Sequence, residues 1–282
     1  MSRRRIGART IEVVEEGSGT PVVFLHGNQV DHRDLMVALD PLFEREAGYR
    51  RLHLDLPGYG ASPPDPTIVG SDGMLEVTLE LIDGLLGNAS FLLVGCSWGG
   101  YLARGVVTRW PGRILGVALV CPVVVAERSA RDLPPLVVRS SDEHLFDGAP
   151  PADAAAFREA AVIVGERPWR HFQTAIAPAL GAADPATVAR IESAYAFRED
   201  VDAIGEPYPG PCLLVVARGD SVVGARDAIR LLPRFPLATV AFLDAAGHHA
   251  LTERPALIAA LVSDWLERME MWASDPGRAR AP

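Results

Sequence analysis

Ser97, in Gly95-Cys96-Ser97-Trp98-Gly99-Gly100, is the residue of this chain whose setting points most directly to chemistry; it directly follows the apolar run Phe91-Leu92-Leu93-Val94. G-x-S-x-G between a predicted strand and a predicted helix describes a nucleophile elbow, a sharp turn that lifts one hydroxyl clear of a sheet. Small glycines on either side let strand and helix pack closely about a strained residue. A serine hydroxyl is a poor nucleophile at neutral pH. It needs a base within hydrogen-bond reach, an acid that orients the base, and donors for the oxyanion that forms when a carbonyl is attacked. In a chain with 26 glycines the pattern also arises by chance, so its weight rests on those partners.

Seven histidines are available as the base. His53, His144 and His171 lie in a predicted strand or in the middle segment and read as structural or exposed. His248, in Asp244-Ala245-Ala246-Gly247-His248-His249, follows a predicted strand and is the candidate base, with His249 as the fallback. A metal-binding reading of the adjacent pair lacks a further ligand cluster. Asp220 ends Leu213-Leu214-Val215-Val216-Ala217-Arg218-Gly219-Asp220 and is the candidate orienting acid, with Asp244 behind it. An aspartate after glycine is otherwise a turn residue. Serine, then acid, then histidine is the chain order expected of an elbow nucleophile. The oxyanion donors would be the backbone N–H of Trp98 and that of Asn28, in His26-Gly27-Asn28-Gln29. His26 precedes the serine and has a structural use in that loop, so it is the weaker candidate for a base.

These residues need elements that bring them to one sheet edge. Ile11 to Glu15 alternates as a strand, and Pro21 to Leu25, Arg51 to Leu56, Phe91 to Val94 and Ile114 to Val120 are buried-strand runs. Helices are expected from His32 to Glu46, capped by Asp31, from Met74 to Leu86, and from Tyr101 to Trp110. Strand–helix alternation stops after Cys121-Pro122 and returns with strands at Cys212–Ala217 and Ala238–Leu243, and helices at Ala225–Leu232 and Ala256–Met269. Such alternation predicts a parallel sheet wound by right-handed crossovers. Residues 1–122 and 209–272 would form the core, and 123–208 a helical insertion over the carboxyl edge of the sheet. Residues 273–282 would be a flexible tail. The insertion carries Trp169, Phe172, Tyr195 and Phe197, which would line a substrate pocket or form the core of the insertion itself.

A length of 282 residues with 49% hydrophobic and 22% charged residues fits one large α/β domain with an insertion. The net charge of −9 argues against nucleic acid as a partner. No apolar run approaches the roughly 20 residues that span a bilayer, and no apolar segment follows the basic Met1-Ser2-Arg3-Arg4-Arg5 as in a secretory signal. Cys96, Cys121 and Cys212 are widely spaced in or beside apolar runs, which suggests buried free thiols in a reducing cytoplasm. No cofactor or metal is called for. The expected partner is a small-molecule substrate; oligomeric state is open, and a homodimer is compatible with it.

Taken in order, His26-Gly27, Asp55-Leu56-Pro57-Gly58-Tyr59-Gly60-Ala61-Ser62, the serine elbow, Gly219-Asp220 and Gly247-His248 with Glu253-Arg254-Pro255 resemble the α/β-hydrolase superfamily over residues 10 to 270. The resemblance implies an eight-stranded, mostly parallel sheet flanked by helices, a cap subdomain at the insertion, and a turn at Asp55–Ser62. Asn28 and Trp98 also look like the halide-holding pair of haloalkane dehalogenases. A serine alkylated by such a substrate would be an ether and a dead end, which also counts against epoxide hydrolysis. Gly95-Cys96-Ser97-Trp98-Gly99 is similar to the elbow of proline iminopeptidases, but His26-Gly27-Asn28-Gln29-Val30 departs from their glycine-rich loop, and from that of the carbon–carbon hydrolases of similar layout. Hydrolysis of a small or medium carboxylic ester needs the fewest extra features. Carbon–carbon or amide hydrolysis, a non-hydrolytic lyase, cyclase or acyl transferase, and a non-catalytic binding protein are the alternatives.

Overall fold

The computed structural model of the chain describes residues 2–46 and 48–274. Of the tail expected at 273–282, residues 275–282 lie outside the described residues. The chain opens with strands β1 (Ser2–Ile6), β2 (Arg9–Gly17) and β3 (Thr20–Leu25), then helix α1 (His32–Phe43) and β4 (Tyr49–Leu54). Helix α2 (Gly70–Leu86), β5 (Phe91–Cys96), α3 (Trp98–Arg109) and β6 (Ile114–Val120) follow. The middle stretch holds β7 (Ser140–Ser141), α4 (Pro151–Arg158), β8 (Ile163–Val164), α5 (Glu166–His171), α6 (Ala177–Ala182) and α7 (Pro185–Ser193). The chain returns with β9 (Cys212–Ala217), β10 (Ala238–Leu243), α8 (Ala250–Glu253) and α9 (Pro255–Ala273).

Eight strands form one sheet in the order β1-β2-β4-β3-β5-β6-β9-β10. The β1–β2 and β2–β4 pairs are antiparallel and the remaining neighbours parallel, as expected. β3, β5, β6 and β9 are apolar runs buried along most of their length, the pattern of strands covered on both faces. Helix α1 packs on β3 and β4, α3 on β3, β5 and β6, and α9 on β6 and β9. Each buries an apolar stripe at helical spacing, such as Leu35, Leu39 and Phe43 in α1 and Ile258, Val262, Trp265 and Met269 in α9. Asp31 caps α1 by accepting from the N–H of Arg33, and Pro255 opens α9 at a position where its missing N–H leaves no bond unmade.

Two features were not legible in the sequence. β1 is an edge strand whose arginines face solvent, with Arg4 paired to Glu15 at 2.8 Å; charge on an edge blocks pairing with other chains. The middle stretch, expected as a helical insertion, also contains a second, two-stranded parallel sheet of β7 and β8. Two residues per strand are too few for period-two patterning to register.

The strand order places the site. From β3 the chain passes through α1 to β4 on one side, then through α2 to β5 on the other side of β3. A crevice opens at the carboxyl ends of strands where the winding direction reverses, and ligands of such sheets bind there. The carboxyl ends of β3 and β5 are the segments that carry Asn28 and Ser97.

Candidate active site

Ser97 lies between β5 and α3 with φ +54° and ψ −120°, a conformation that L-residues rarely adopt. Its N–H donates to Val120 O at 3.0 Å, and its carbonyl accepts from Tyr101 and Val123 N–H at 3.2 and 3.0 Å. The glycines around it permit this turn. A Cβ on Gly95 would stand 2.5 Å from Gly99 O, and one on Gly99 would press on the carbonyl oxygens of Leu25 and His26. Gly99→Ala is therefore expected to destabilise the fold by about 1–3 kcal/mol through forced backbone shifts, measured as a drop in urea midpoint. An unchanged midpoint would show that the α3–β3 contact yields at no cost.

His248 Nε2 lies 3.1 Å from Ser97 Oγ, and His248 Nδ1 lies 2.8 Å from Asp220 Oδ2. Asp220 is fully buried at the end of β9, and its Oδ1 accepts the N–H groups of Val222 and Val223, each at 2.9 Å. Burial pushes the Asp220 carboxyl up, but the His248 imidazole and those two N–H groups outweigh it and hold it below its ordinary value. Burial pushes His248 down, while the Asp220 carboxylate and its hydrogen bond bring it above its ordinary value. Both shifts favour a histidine that can accept and hold a proton beside Ser97.

The loop after β3 is fixed by its own network. Buried His26 accepts the Leu56 N–H at Nε2, 3.1 Å away, and its Nδ1 donates to Gly27 O at 2.7 Å. Both ring nitrogens are engaged away from Ser97. Tyr59 O–H donates to Asn28 Oδ1 at 2.7 Å, and Gly27 approaches so closely that an added Cβ would lie 3.3 Å from Ser97 Cβ. Among the described residues, neither the Asn28 nor the Trp98 backbone N–H meets an acceptor. The Trp98 indole N–H, by contrast, donates to Ser71 Oγ at 2.9 Å.

The other candidates fall elsewhere. His249 is half-buried, stacks on Phe157 with ring centroids 5.4 Å apart, and is pushed down to about 4 by desolvation and by His248. Asp244 is largely exposed, and its carbonyl accepts from Arg254. His53 is buried against Phe24 and paired with Asp40, and His144 is exposed. The three cysteines are free and buried. Cys121, Asp220 and His248 offer ligand atoms within 4.8 Å of one another, as do Asp31, His32 and Asp55. The carboxylates of both groups already accept protein N–H groups, so neither is an open ligand set.

A cavity of about 120 Å³ adjoins Ser97 and His248, lined also by Asn28, Asp34, His171 and Ile176. None of the four aromatic residues read as pocket lining or as the insertion's own core lines this cavity. Trp169 and Phe172 stack with centroids 5.5 Å apart in an apolar cluster with Phe157, Ala161 and Val164, and Phe197 stacks on Tyr101 at 4.2 Å. Tyr195 packs between Trp98 and Tyr101. The short helices of the insertion need apolar surface to bury, which Trp169 and Phe172 supply in a cluster of their own, while Tyr195 and Phe197 join the main core. The polar lining came instead from residues not singled out as functional. His171, read as structural or exposed, is buried, and its Nε2 lies 2.9 Å from Asp34 Oδ1. Burial pushes Asp34 up, but His171 outweighs it and holds the carboxyl low. The one available signal was position: Asp34 lies in the first turn of α1, just past the β3 loop.

The profile described as the alpha/beta hydrolase family matches residues 22–261. The crystal structure of an alpha/beta superfamily hydrolase from Oenococcus oeni PSU-1 superposes with a TM-score of 0.88 and 29% identity, over 96% of this chain and 100% of that one. A dihydrolipoyllysine-residue acetyltransferase component of the acetoin cleaving system, from Cupriavidus necator, is 31% identical over 144 residues, 46% of this chain and 37% of its own. A pimeloyl-[acyl-carrier protein] methyl ester esterase from Shewanella sp. strain MR-7 is 30% identical over 145 residues, 50% of each chain. The chain spans half or less of the length of these two curated relatives. With the family profile running from β3 into α9, over the strand order that builds the crevice at Ser97, the chain belongs to the alpha/beta hydrolase family.

Proposed function

We propose that the chain is a serine hydrolase that cleaves a small or medium carboxylic ester through an acyl-enzyme. The observation that carries the reading is the continuous chain of contacts from Ser97 Oγ to His248 Nε2 and from His248 Nδ1 to Asp220. In the first half-reaction His248 takes the Ser97 proton as Oγ attacks the carbonyl carbon. The oxyanion of the tetrahedral intermediate sits against the Asn28 and Trp98 N–H groups, and Asp220 stabilises the imidazolium. His248 returns the proton to the departing alcohol, which leaves the acyl group on Ser97. In the second half-reaction His248 deprotonates a water that attacks the acyl carbon, and Ser97 leaves with that proton. Residues 123–208 act as a cap, since His171 and Ile176 reach from that stretch to the cavity at Ser97.

Halide displacement has two arguments against it. The nucleophile is a serine, whose alkylation would be irreversible, and the side-chain donors such a site would turn on a halide are engaged with Ser71 and Glu192. An ester as substrate also agrees with the methyl ester esterase among the relatives. A fluorophosphonate probe followed by intact-mass measurement tests the reading. One adduct on the folded protein, mapped to Ser97, is expected; a folded protein that stays unlabelled would show that no activated serine exists.

A further inference from the structure

A second, larger cavity of about 510 Å³ adjoins the one at Ser97, and the two share His171, Leu251 and Thr252 as common walls. Its apolar lining includes Val37, Pro41, Leu42 and Ile258. Its rim carries Arg45, Arg167 and Arg170. No carboxylate is among the described residues that line it. Arg170 is within 3.5 Å of Glu166 on its own helix. The acids that flank Arg45 in sequence are directed elsewhere, Glu44 to Arg51 at 3.9 Å and Glu46 to Ser263 at 3.4 Å. In a chain of net charge −9, three guanidinium groups around one apolar cleft form a local field of opposite sign.

We propose that this cleft binds the far end of the substrate, an oxyanion (carboxylate or phosphate) carried on an apolar chain whose ester end reaches Ser97. The inference rests on the serine-esterase reading above and adds the class of ester. Apolar chain fits the apolar lining, and guanidinium forks match the geometry of a carboxylate or phosphate. The orientation is set by charge as well. Asp34 lines the cavity at Ser97 and remains ionised beside His171, so an anion is disfavoured there and favoured among the arginines. The uncharged ester is the end that enters the Ser97 cavity, and the shared wall at His171 is the step over which the chain passes.

The test compares three 4-nitrophenyl esters of the same eight-carbon acyl chain, ended by a methyl group, a carboxylate or a phosphate monoester. For the wild-type chain, kcat/KM for at least one anionic ester is expected to exceed that for the neutral one by about tenfold or more. Whether carboxylate or phosphate leads identifies the oxyanion. In the Arg45→Ala/Arg167→Ala double variant the ratio of anionic to neutral ester should fall to about one, and in Arg167→Glu below one. Because each ratio is taken within one protein, a partial loss of folded material cancels. Equal use of all three esters by the wild type, or a ratio that survives the double variant, overturns the proposal.

A binding arm separates this outcome from failure of the esterase reading. Calorimetric titration of Ser97→Ala with monomethyl octanedioate and with methyl octanoate needs no turnover. Tighter binding of the former, lost in the arginine variants, upholds the anion cleft even if fluorophosphonate leaves the wild type unlabelled. Equal binding in a protein that does label overturns the cleft and leaves the serine chemistry standing.

Discussion

Ser97→Ala is expected to lower ester kcat by a factor on the order of 10⁶, with the fold intact. Ser97 Oγ would form the covalent bond, and no neighbouring group can take over: Cys96 and Cys121 are buried thiols that burial pushes well above their ordinary value, so neither offers a thiolate. The stability effect should be small for three physical reasons. Alanine keeps a Cβ, so the φ of +54° remains as strained as before and nothing is gained or lost in the backbone. Among the described residues the Oγ makes a hydrogen bond only to His248, whose side chain remains 19% exposed and can turn to water. The hydrogen bonds that hold the turn run through the Ser97 N–H and carbonyl, which alanine retains. Turnover measured with a chromogenic ester, alongside the urea midpoint, separates the two effects. The double variant Ser97→Ala/His248→Ala should be no slower than the single one, because the pair acts as a unit. A Ser97→Ala protein within tenfold of wild-type rate would remove Ser97 from the mechanism.

Much of this architecture could be inferred before the fold was known, because it rests on short-range rules. Buried parallel strands announce themselves as apolar runs, and the elbow and the Asp220 turn each follow one, while the His248 loop follows the half-buried edge strand β10. Boundaries were less accurate. α3 begins at Trp98, three residues ahead of the expected Tyr101, because Gly99 and Gly100 disfavour a helix locally but are required by contact with Leu25 and Pro122. The turn expected as a helix at Ala225–Leu232 is a 3-10 helix over Arg226–Leu231. Cavity-lining residues were the least legible. Trp169 and His171 are two positions apart on α5, yet one joins an apolar cluster and the other pairs with Asp34 beside Ser97. Which residue turns which way depends on how short helices settle on the sheet, and no local pattern encodes that.

Asp220→Asn should cost a factor on the order of 10⁴ in kcat and shift the pH dependence, and the combination distinguishes a charge effect from a merely structural one. The Asp220 Oδ1 is held by the Val222 and Val223 N–H groups. An asparagine there keeps its carbonyl oxygen on those two donors, which turns its amide N–H toward His248 Nδ1. That nitrogen must then accept, so the ring proton moves to Nε2 and faces Ser97, where a proton acceptor is needed. The sign of the pH effect follows from the same contact. Wild-type rate requires neutral His248, so kcat/KM rises with pH as the imidazolium loses its proton. The Asp220 carboxylate raises His248 above its ordinary value and holds that rise at higher pH. With the negative charge of Asp220 gone, burial is the strongest influence left on the ring, opposed by Asp34 and aided by Arg131, and the rise should move to lower pH while its plateau falls. A profile of kcat/KM against pH for both proteins reads the two effects separately. A lower plateau with an unmoved rise would mean that Asp220 orients the ring without tuning its proton affinity; a plateau near wild type would leave the orienting role to another group.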